Sequence, residues 1–173
     1  YELLKTCDVF LMNMRPGVAD RLGVGYEDVQ KINPRIVYCS VTGWGTNGPM
    51  ADLPGADGQV QYVTGFGSPT GERDGAPEIY RHFTQMDGTT GNYAAQAILM
   101  ALVNRARTGK GQRIDLSMLR AGTALQSGRI AEYFASGKPA ERLGASSAAA
   151  APDTAFYCED KEWIGVSATS PSE

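Results

Sequence analysis

The sequence has little histidine and little cysteine, and it lacks a long apolar run. His82 is the single histidine, and the three cysteines (Cys7, Cys39 and Cys158) are far apart and form no Cys-x-x-Cys pair. We therefore expect neither a disulfide framework nor a metal site, and the cysteine usage favours a reducing, cytoplasmic compartment. No stretch of about 18 apolar residues occurs, so we expect no membrane span.

Charge of either sign is also low. The 173 residues carry a net charge of −3, and 20% of them are charged. This slight acidity gives no reason to expect nucleic acid or an anionic membrane as a partner. The chain starts at Tyr1 within an apparent α/β unit and stops just after a strand-like segment. We expect it to be a fragment of a longer protein.

Strand and helix patterns alternate through the first 140 residues, which is typical of an α/β layered fold. The apolar segments 7–13 and 35–41 predict strands buried on both faces of a parallel sheet, and the alternating segment 112–118 predicts a third strand. Helices are predicted at 18–22, 26–32, about 59–64, 87–107 and 119–135.

The helix predicted over 87–107 has the clearest apolar periodicity, and Gly109 fits its end. Its apolar stripe is expected to comprise Tyr93, Ala97, Met100, Ala101 and Asn104, widened by Ile98 and Leu102.

The last part of the chain has a different composition. Residues 145–151 are rich in alanine and serine and are interpreted as a linker or surface stretch. Segments 154–158 and 162–168 predict a β-hairpin, the expected start of a second, more β-rich domain.

Two glycine-containing segments imitate nucleotide-binding motifs. Gly43–Gly48 matches Gly-x-Gly-x-x-Gly, but Pro49 and Pro54 leave no room for the required helix, and Val63 occupies the position of the required acid. We predict a tight loop there. Residues 108–111 lack the upstream glycine and the hydroxyl residue of a phosphate loop, and they predict a helix-to-strand turn.

A polar turn, residues 13–17, follows the first predicted strand. Open α/β sheets bind ligands at the carboxyl ends of their strands. Arg15 in this turn and Arg21 just beyond it have the chemistry to bind phosphate oxygens. A pair of solvated surface arginines fits the same pattern.

Asp87 precedes a glycine-containing segment at the start of the longest predicted helix. An aspartate in this place is commonly a helix cap. It is also a candidate nucleophile, because a carboxylate is ionised at neutral pH without a partner base. Gly88 and Gly91 would let an acyl group approach closely. Local chemistry alone leaves both interpretations open.

Three sequence blocks, in this order, favour the functional interpretations of the two arginines and of Asp87. They are residues 8–49, Asp87 before its alanine-rich helix, and residues 105–118. Together they resemble the class III CoA-transferases (the CaiB/BaiF, formyl-CoA transferase-like family) over nearly the whole chain. The resemblance implies an incomplete Rossmann-like large domain over 1–140, with its N-terminal strands missing. Residues 141–173 would then be the linker and first hairpin of a small α+β domain.

The resemblance also implies an activity, a class III acyl-CoA:carboxylate CoA-transferase. Asp87 would be the nucleophile, passing through a mixed anhydride and an aspartyl-CoA thioester. Coenzyme A would be a substrate rather than a covalently bound cofactor, no metal would take part, and the full-length protein would form an interlocked homodimer. Implied CoA-binding residues are Asn13, Met14, Arg15, Arg21 and, in the loop 54–57, Asp57.

Some positions depart from the family pattern. Ala56 stands where relatives carry tyrosine or histidine, and in related racemases that histidine is the acid/base partner of the aspartate. An acyl-CoA racemase or isomerase is therefore the less favoured alternative. His82 could substitute for the missing histidine, but the favoured interpretation of His82 is a structural or solvent-exposed residue. The flank 81–86 is bulkier and more polar than usual, which leaves the acyl specificity open. It also keeps a non-catalytic CoA-binding paralogue as a further alternative.

Overall fold

The computed structural model describes residues 1–168 and 170, which form two separate sheets with helices around the larger one. A short 3₁₀ helix, Leu3–Lys5, comes first. The other elements in chain order are β1 (Val9–Met12), α1 (Val18–Arg21), α2 (Tyr26–Ile32), β2 (Val37–Thr42), α3 (Asp57–Val63), α4 (Gln85–Thr108), β3 (Gln112–Ser117), α5 (Met118–Leu125), α6 (Ser127–Ser136), β4 (Asp153–Tyr157) and β5 (Trp163–Ser167).

The larger sheet is parallel, with the order β1-β2-β3, which confirms the predicted α/β fold class. Its central strand β2 is covered on both faces. Val37 and Cys39 pack with Ala94 and Ala101 of α4 and with Ile114. On the other face Tyr38 packs with Leu4, Val29 and Ile36. This double burial explains why the strand is a nearly continuous apolar run.

The buried face of α4 differs from the predicted stripe. Ala101 is buried as expected, and Ala97, Ile98 and Leu102 are partly buried, but Tyr93, Met100 and Asn104 are exposed. The positions that are most buried are Met86, Thr90, Ala94 and Ala101. A helix with apolar residues on several sides fits more than one stripe of spacing three and four, and the sheet takes the stripe whose small side chains let it approach closely.

The helix predicted over 119–135 is two helices. Gln126 has φ −90° and ψ 5°, and its N–H donates to the carbonyl of Thr123 at 3.1 Å instead of continuing the α-helical pattern. The chain turns at this residue, so α5 and α6 are separate helices. Gly137, with φ 69°, ends α6, as predicted.

A third apolar cluster lies where α3, α4 and α5 come together. It comprises Trp44, Val60, Met86 and Met118. Gly122 of α5 allows this approach, because a Cβ there would lie 2.7 Å from Thr64 Cγ2 and 2.8 Å from Met86 Sδ. This cluster fixes the first turn of α4.

The smaller sheet is the antiparallel hairpin β4–β5, with Thr154 opposite Val166 and Tyr157 opposite Trp163. It confirms the hairpin expected over these residues, while a domain boundary near residue 140 remains a prediction. Among the helices of the described residues, none is both long and apolar enough to cross a membrane.

Candidate active site

A cavity of about 690 Å³ opens at the carboxyl end of the parallel sheet. Its walls come from the ends of β1 and β2, from the loop residue Gly55, from the first four turns of α4 and from the start of α5. The lining residues are Leu11, Met12, Asn13, Val41, Thr42, Gly43, Gly55, Asp87, Gly91, Ala94, Ala95, Ile98 and Met118. This is the edge at which open α/β sheets bind ligands, and its lining is mostly apolar.

Asp87 is an acidic residue in this wall and lies in the first turn of α4, three residues after Thr84. The residue is exposed. Gly88 and Gly91 lie next to it, and a Cβ at either would meet no atom within 4 Å. Gly91 lines the same cavity as Asp87, so its missing side chain leaves space next to Asp87 for a reacting acyl group.

Asp87 is not the cap of α4, although its sequence context is typical of one. The helix begins two residues earlier, at Gln85, and the side chain of the N-cap residue Thr84 makes no capping hydrogen bond. Asp57 of α3 supplies it instead. Its Oδ2 accepts hydrogen bonds from the backbone N–H of Met86 at 2.7 Å and from that of Asp87 at 3.0 Å.

The other oxygen of Asp57 is also engaged. Its Oδ1 accepts a hydrogen bond from the side-chain amide of Gln61, which is fully buried. The Gln61 amide nitrogen also donates to the carbonyl of Tyr80 at 3.0 Å, and its oxygen accepts from the N–H of Tyr80 at 3.0 Å. One buried amide thus joins Asp57 to the segment that leads into α4.

The electrostatic setting of Asp87 favours its protonated form. Partial burial of the carboxyl at the cavity wall, and secondarily the negative charge of Asp57, raise the pKa of Asp87 above its usual value. A carboxylate with a raised pKa is more basic, and hence a better nucleophile, provided that it is still ionised at the working pH.

A close approach of two glycines brings Asp57 to this position. A Cβ on Gly43 would lie 2.8 Å from the Cα of Gly55, and a Cβ on Gly55 would lie 2.7 Å from the Cα of Gly43. Nearby, Trp44 Nε1 donates to the carbonyl of Pro54 at 3.1 Å. The loop after β2 and the loop before α3 are therefore in direct backbone contact.

This contact also explains the Gly-x-Gly-x-x-Gly match. Residues 43–48 form a loop rather than the start of a helix, and Gly45 and Gly48 have φ of 106° and 98°. The predicted tight loop is confirmed. The segment 108–111 is the expected helix-to-strand turn, with Gly109 at φ 73°.

Of the four residues predicted to bind CoA near β1, three follow the end of that strand and Arg21 lies in α1. Asn13 lines the cavity, and Met14 and Arg15 follow it as exposed residues. Arg15 Nη1 lies 3.5 Å from the carbonyl of Asp52. Arg21, in α1, is exposed, and neither arginine forms a salt bridge within residues 1–168 and 170. Their contacts with CoA remain predictions.

His82 does not share the cavity of Asp87. It is exposed and lines a separate depression with Tyr62, Ile79 and Phe83. Ala56 is exposed and precedes α3. In this arrangement no histidine lines the wall that carries Asp87, within the part of the chain that is described.

Sequence reasoning missed the roles of Asp57, Gln61 and Gly55 in this site. Asp57 was predicted only as a CoA contact, and that contact remains a prediction. A Gly-Ala-Asp segment before a helix is a visible signal for a local cap. No sequence signal connects Asp57 to backbone groups 29 and 30 residues further on.

Comparison with known proteins supports the sequence resemblance. The model of a family described as CoA-transferase family III matches residues 1–173. The succinyl-CoA:glutarate CoA-transferase of Mus musculus is 39% identical over 159 residues, which are 92% of this chain and 36% of the mouse protein. The acetyl-CoA:oxalate CoA-transferase of Acetobacter aceti is 38% identical over 163 residues, 94% of this chain and 42% of the bacterial protein.

A solved structure gives the same result. The CAIB/BAIF family protein from Brucella suis superimposes with a TM-score of 0.86 at 36% sequence identity, covering 93% of this chain and 42% of the other. The chain thus spans from 36% to 42% of the length of these three relatives.

Proposed function

The chain belongs to CoA-transferase family III, and on this premise we propose that the protein moves CoA from an acyl-CoA donor to a carboxylic acid acceptor, with Asp87 as the nucleophile. One observation carries the proposal. Asp87 lies in the wall of the cavity at the carboxyl end of the sheet, together with Gly91, whose missing side chain leaves space for an acyl group.

The first half of the reaction loads CoA onto the enzyme. An oxygen of the Asp87 carboxylate attacks the thioester carbonyl, the C–S bond breaks, and CoA leaves as a thiolate. The product on the enzyme is a mixed anhydride between the donor acyl group and Asp87. The thiolate then attacks the Asp87 carbonyl carbon of this anhydride, which releases the donor acid as a carboxylate and leaves an aspartyl-CoA thioester.

The second half reverses these steps with the acceptor. The acceptor carboxylate attacks the aspartyl carbonyl, CoA leaves again as a thiolate, and a second mixed anhydride forms. Thiolate attack on the acceptor carbon gives the new acyl-CoA and restores the Asp87 carboxylate. No proton is transferred between the substrates and a base, which suits a cavity wall without a histidine among the described residues.

CoA would approach from the side of Asn13, Met14, Arg15 and Arg21. Asn13 would lie nearest to the reacting end, since it shares the cavity with Asp87. The exposed guanidinium groups of Arg15 and Arg21 would bind phosphate oxygens through charge-assisted hydrogen bonds. We also propose that the full-length protein is a cytoplasmic, interlocked homodimer.

Small dicarboxylates are the acceptors to test first. The names of the Mus musculus and Acetobacter aceti relatives specify succinyl-CoA with glutarate and acetyl-CoA with oxalate, respectively. We propose acids of this class as substrates for the present protein, with succinyl-CoA and glutarate as the first pair. Activity with monocarboxylates alone would contradict this part of the proposal.

A trapping experiment tests the function. Full-length protein is incubated with succinyl-CoA, the adduct is trapped with hydroxylamine or borohydride, and peptides are analysed by mass spectrometry. We expect modification of Asp87 that disappears in Asp87→Ala and persists in Asp28→Asn, a change on α2 away from the cavity. Solvent deuterium at the α-carbon without an adduct would indicate a racemase or isomerase instead. CoA binding with neither signal would indicate a non-catalytic CoA-binding module.

A further inference from the structure

Asp57 holds the backbone that carries the proposed nucleophile. We infer that Asp57 is a positioning residue, which orients Asp87 towards the cavity by accepting hydrogen bonds from the first turn of α4. The inference rests on the proposed role of Asp87. It assigns to Asp57 a function other than contact with CoA.

The geometry leaves the Asp57 carboxylate little freedom. Asp57 is 9% exposed, and both of its oxygens accept hydrogen bonds from protein donors. Met86, whose N–H is bound at 2.7 Å, is itself fully buried in the cluster with Val60 and Met118. The first turn of α4 is thus fixed by the side chain of Met86 and by the carboxylate of Asp57.

A carboxylate is required here, because an amide of the same shape fits poorly. Asn at position 57 would keep one oxygen and place an NH₂ group towards either Gln61 or α4, and both of these partners are donors. Gln61 cannot reverse its amide without losing both of its bonds to Tyr80. The hydrogen-bond directions therefore specify aspartate at position 57.

The same network connects the nucleophile to a neighbouring loop. Gln61 binds both the N–H and the carbonyl of Tyr80, in the segment that contains His82 and leads into α4. Displacement of that segment would be transmitted through Gln61 to Asp57 and then to Asp87. The hydrogen bonds that position the nucleophile thereby extend to Tyr80.

Asp57 also affects the charge state of Asp87. The elements packed against α4 carry further ionisable groups, but Asp57 is the one whose charge raises the pKa of Asp87. The groups on these elements are Tyr38 and Cys39 of β2, Asp57 and Tyr62 of α3, Arg113 and Asp115 of β3, and Arg120 of α5, with Tyr93, Arg105 and Arg107 on α4 itself. Asp57 therefore contributes both to the position of Asp87 and to its basicity.

Two variants of the full-length protein separate these contributions. Asp57→Asn removes the charge, whereas Gln61→Met keeps the charge and removes a donor from it. The pKa of Asp87 is measured from the pH dependence of its carbodiimide labelling, detected by mass spectrometry. The acid limb of kcat/KM with succinyl-CoA gives a second value. Asp28→Asn, which removes a half-exposed carboxylate paired with Lys31, is the matched control.

We expect the two variants to shift the pKa in opposite directions. Asp57→Asn should lower the pKa of Asp87, because the variant removes the negative charge that, after burial, raises it. Gln61→Met should raise it, because the Asp57 charge loses a compensating dipole. Turnover on the pH plateau should fall about 10- to 100-fold in Asp57→Asn, since misplacing a reacting group is costly. Asp28→Asn should leave the pKa unchanged.

The inference is overturned if the Asp87 pKa and the plateau rate in Asp57→Asn match those of the wild type. It is also overturned if Asp57→Asn and Gln61→Met shift the pKa in the same direction, as loss of general structure would. Should Asp57→Asn fail to fold, the sign of the shift in Gln61→Met still decides. Absence of an Asp87 adduct in the wild type would refute the proposed function, whereas the labelling pKa would still test the role of Asp57.

Discussion

The two ends of α4 are stabilised in different ways. At the C-terminal end Gly109 takes a positive φ of 73° and its N–H donates to the carbonyl of Arg105 at 2.8 Å. Arg105 in turn binds Asp8 at 2.7 Å. At the N-terminal end the capping groups come from Asp57, 30 residues before Asp87. The C-terminal cap is local, and the N-terminal cap depends on tertiary structure.

The two caps of α4 differ in their relation to the cavity: only the N-terminal cap lies next to it. The cap at Gly109 lies at the opposite end of a 24-residue helix from Asp87 and touches no residue of the cavity. The cap from Asp57 binds the N–H of Asp87 itself. Changes at either end should therefore lower stability, but only changes at the Asp57 end should also affect catalysis.

Removing the carboxylate at the N-terminal end should have the largest effect. Asp87→Asn is expected to lower kcat/KM about 10³-fold or more, because an amide at this position is not a carboxylate nucleophile and does not form the anhydride. Activity of the wild type should fall with decreasing pH around a pKa above the usual aspartate value, since the nucleophile must be ionised. Steady-state kinetics as a function of pH tests both statements.

The same variant should not lower stability. The pKa of Asp87 is higher in the folded than in the unfolded protein, so the ionised carboxylate costs folding free energy above the folded pKa. This cost disappears as the pH falls below the unfolded pKa. Asp87→Asn should therefore unfold at the same temperature as the wild type or slightly higher at neutral pH. A clear loss of stability would contradict this electrostatic description.

Removing the tertiary cap should affect both stability and activity. Asp57→Ala leaves two backbone N–H groups and one N–H of the buried Gln61 amide without the acceptor that Asp57 provides. We expect a loss of about 2–4 kcal/mol in the free energy of unfolding, together with reduced turnover. Urea denaturation and kinetics on the same preparation provide the measurement. Unchanged stability would show that water or another group replaces the carboxylate.

Disturbing the Gly43–Gly55 contact, which places Asp57 next to α4, should lower stability and turnover by smaller amounts. Gly55→Ala places a Cβ 2.7 Å from the Cα of Gly43, so one of the two loops must shift. The expected cost is about 1–3 kcal/mol, with impaired turnover because Asp57 follows two residues later. Gly128→Ala is the control, because nothing lies within 4 Å of a Cβ there and alanine favours the helix.

Removing the local cap should have the smallest effect. Gly109→Ala forces a residue with a Cβ into a left-handed conformation and should cost about 1 kcal/mol in the free energy of unfolding. The pH profile of activity should be unchanged, since the cavity is at the other end of the helix. A shift of the acid limb in this variant would contradict the proposed separation of the two ends.

The parts of the fold that depend on local sequence could be predicted. The strands around Val37 and Ile114, the helix 26–32 and the glycine ends at Gly109 and Gly137 follow from apolar runs and glycine positions. The buried face of α4 could not be selected, because Tyr93 and Met100 satisfy the same spacing as the buried positions. The break at Gln126 is followed by Ser127 and Gly128, but an isolated glycine within an apolar helical pattern does not by itself define where a helix ends.

The candidate site likewise has features that the sequence predicts and contacts that only the fold creates. The order of the three sequence blocks identified Asp87 and the family, and Asn13 shares the cavity with Asp87. The contact of Gly43 with Gly55 and the hydrogen bonds of Asp57 join segments that are distant in sequence. Such contacts follow no period along the chain, so no pattern could reveal them.

The sequence by itself determined the α/β class, the family and the identity of the proposed nucleophile, because each depends on residue order or on local periodicity. The tertiary structure alone decided that Asp87 is held by Asp57 rather than capping the helix itself. The reason is physical. A carboxylate accepts hydrogen bonds from whichever donors the fold brings within about 3 Å, and sequence distance has no part in that choice.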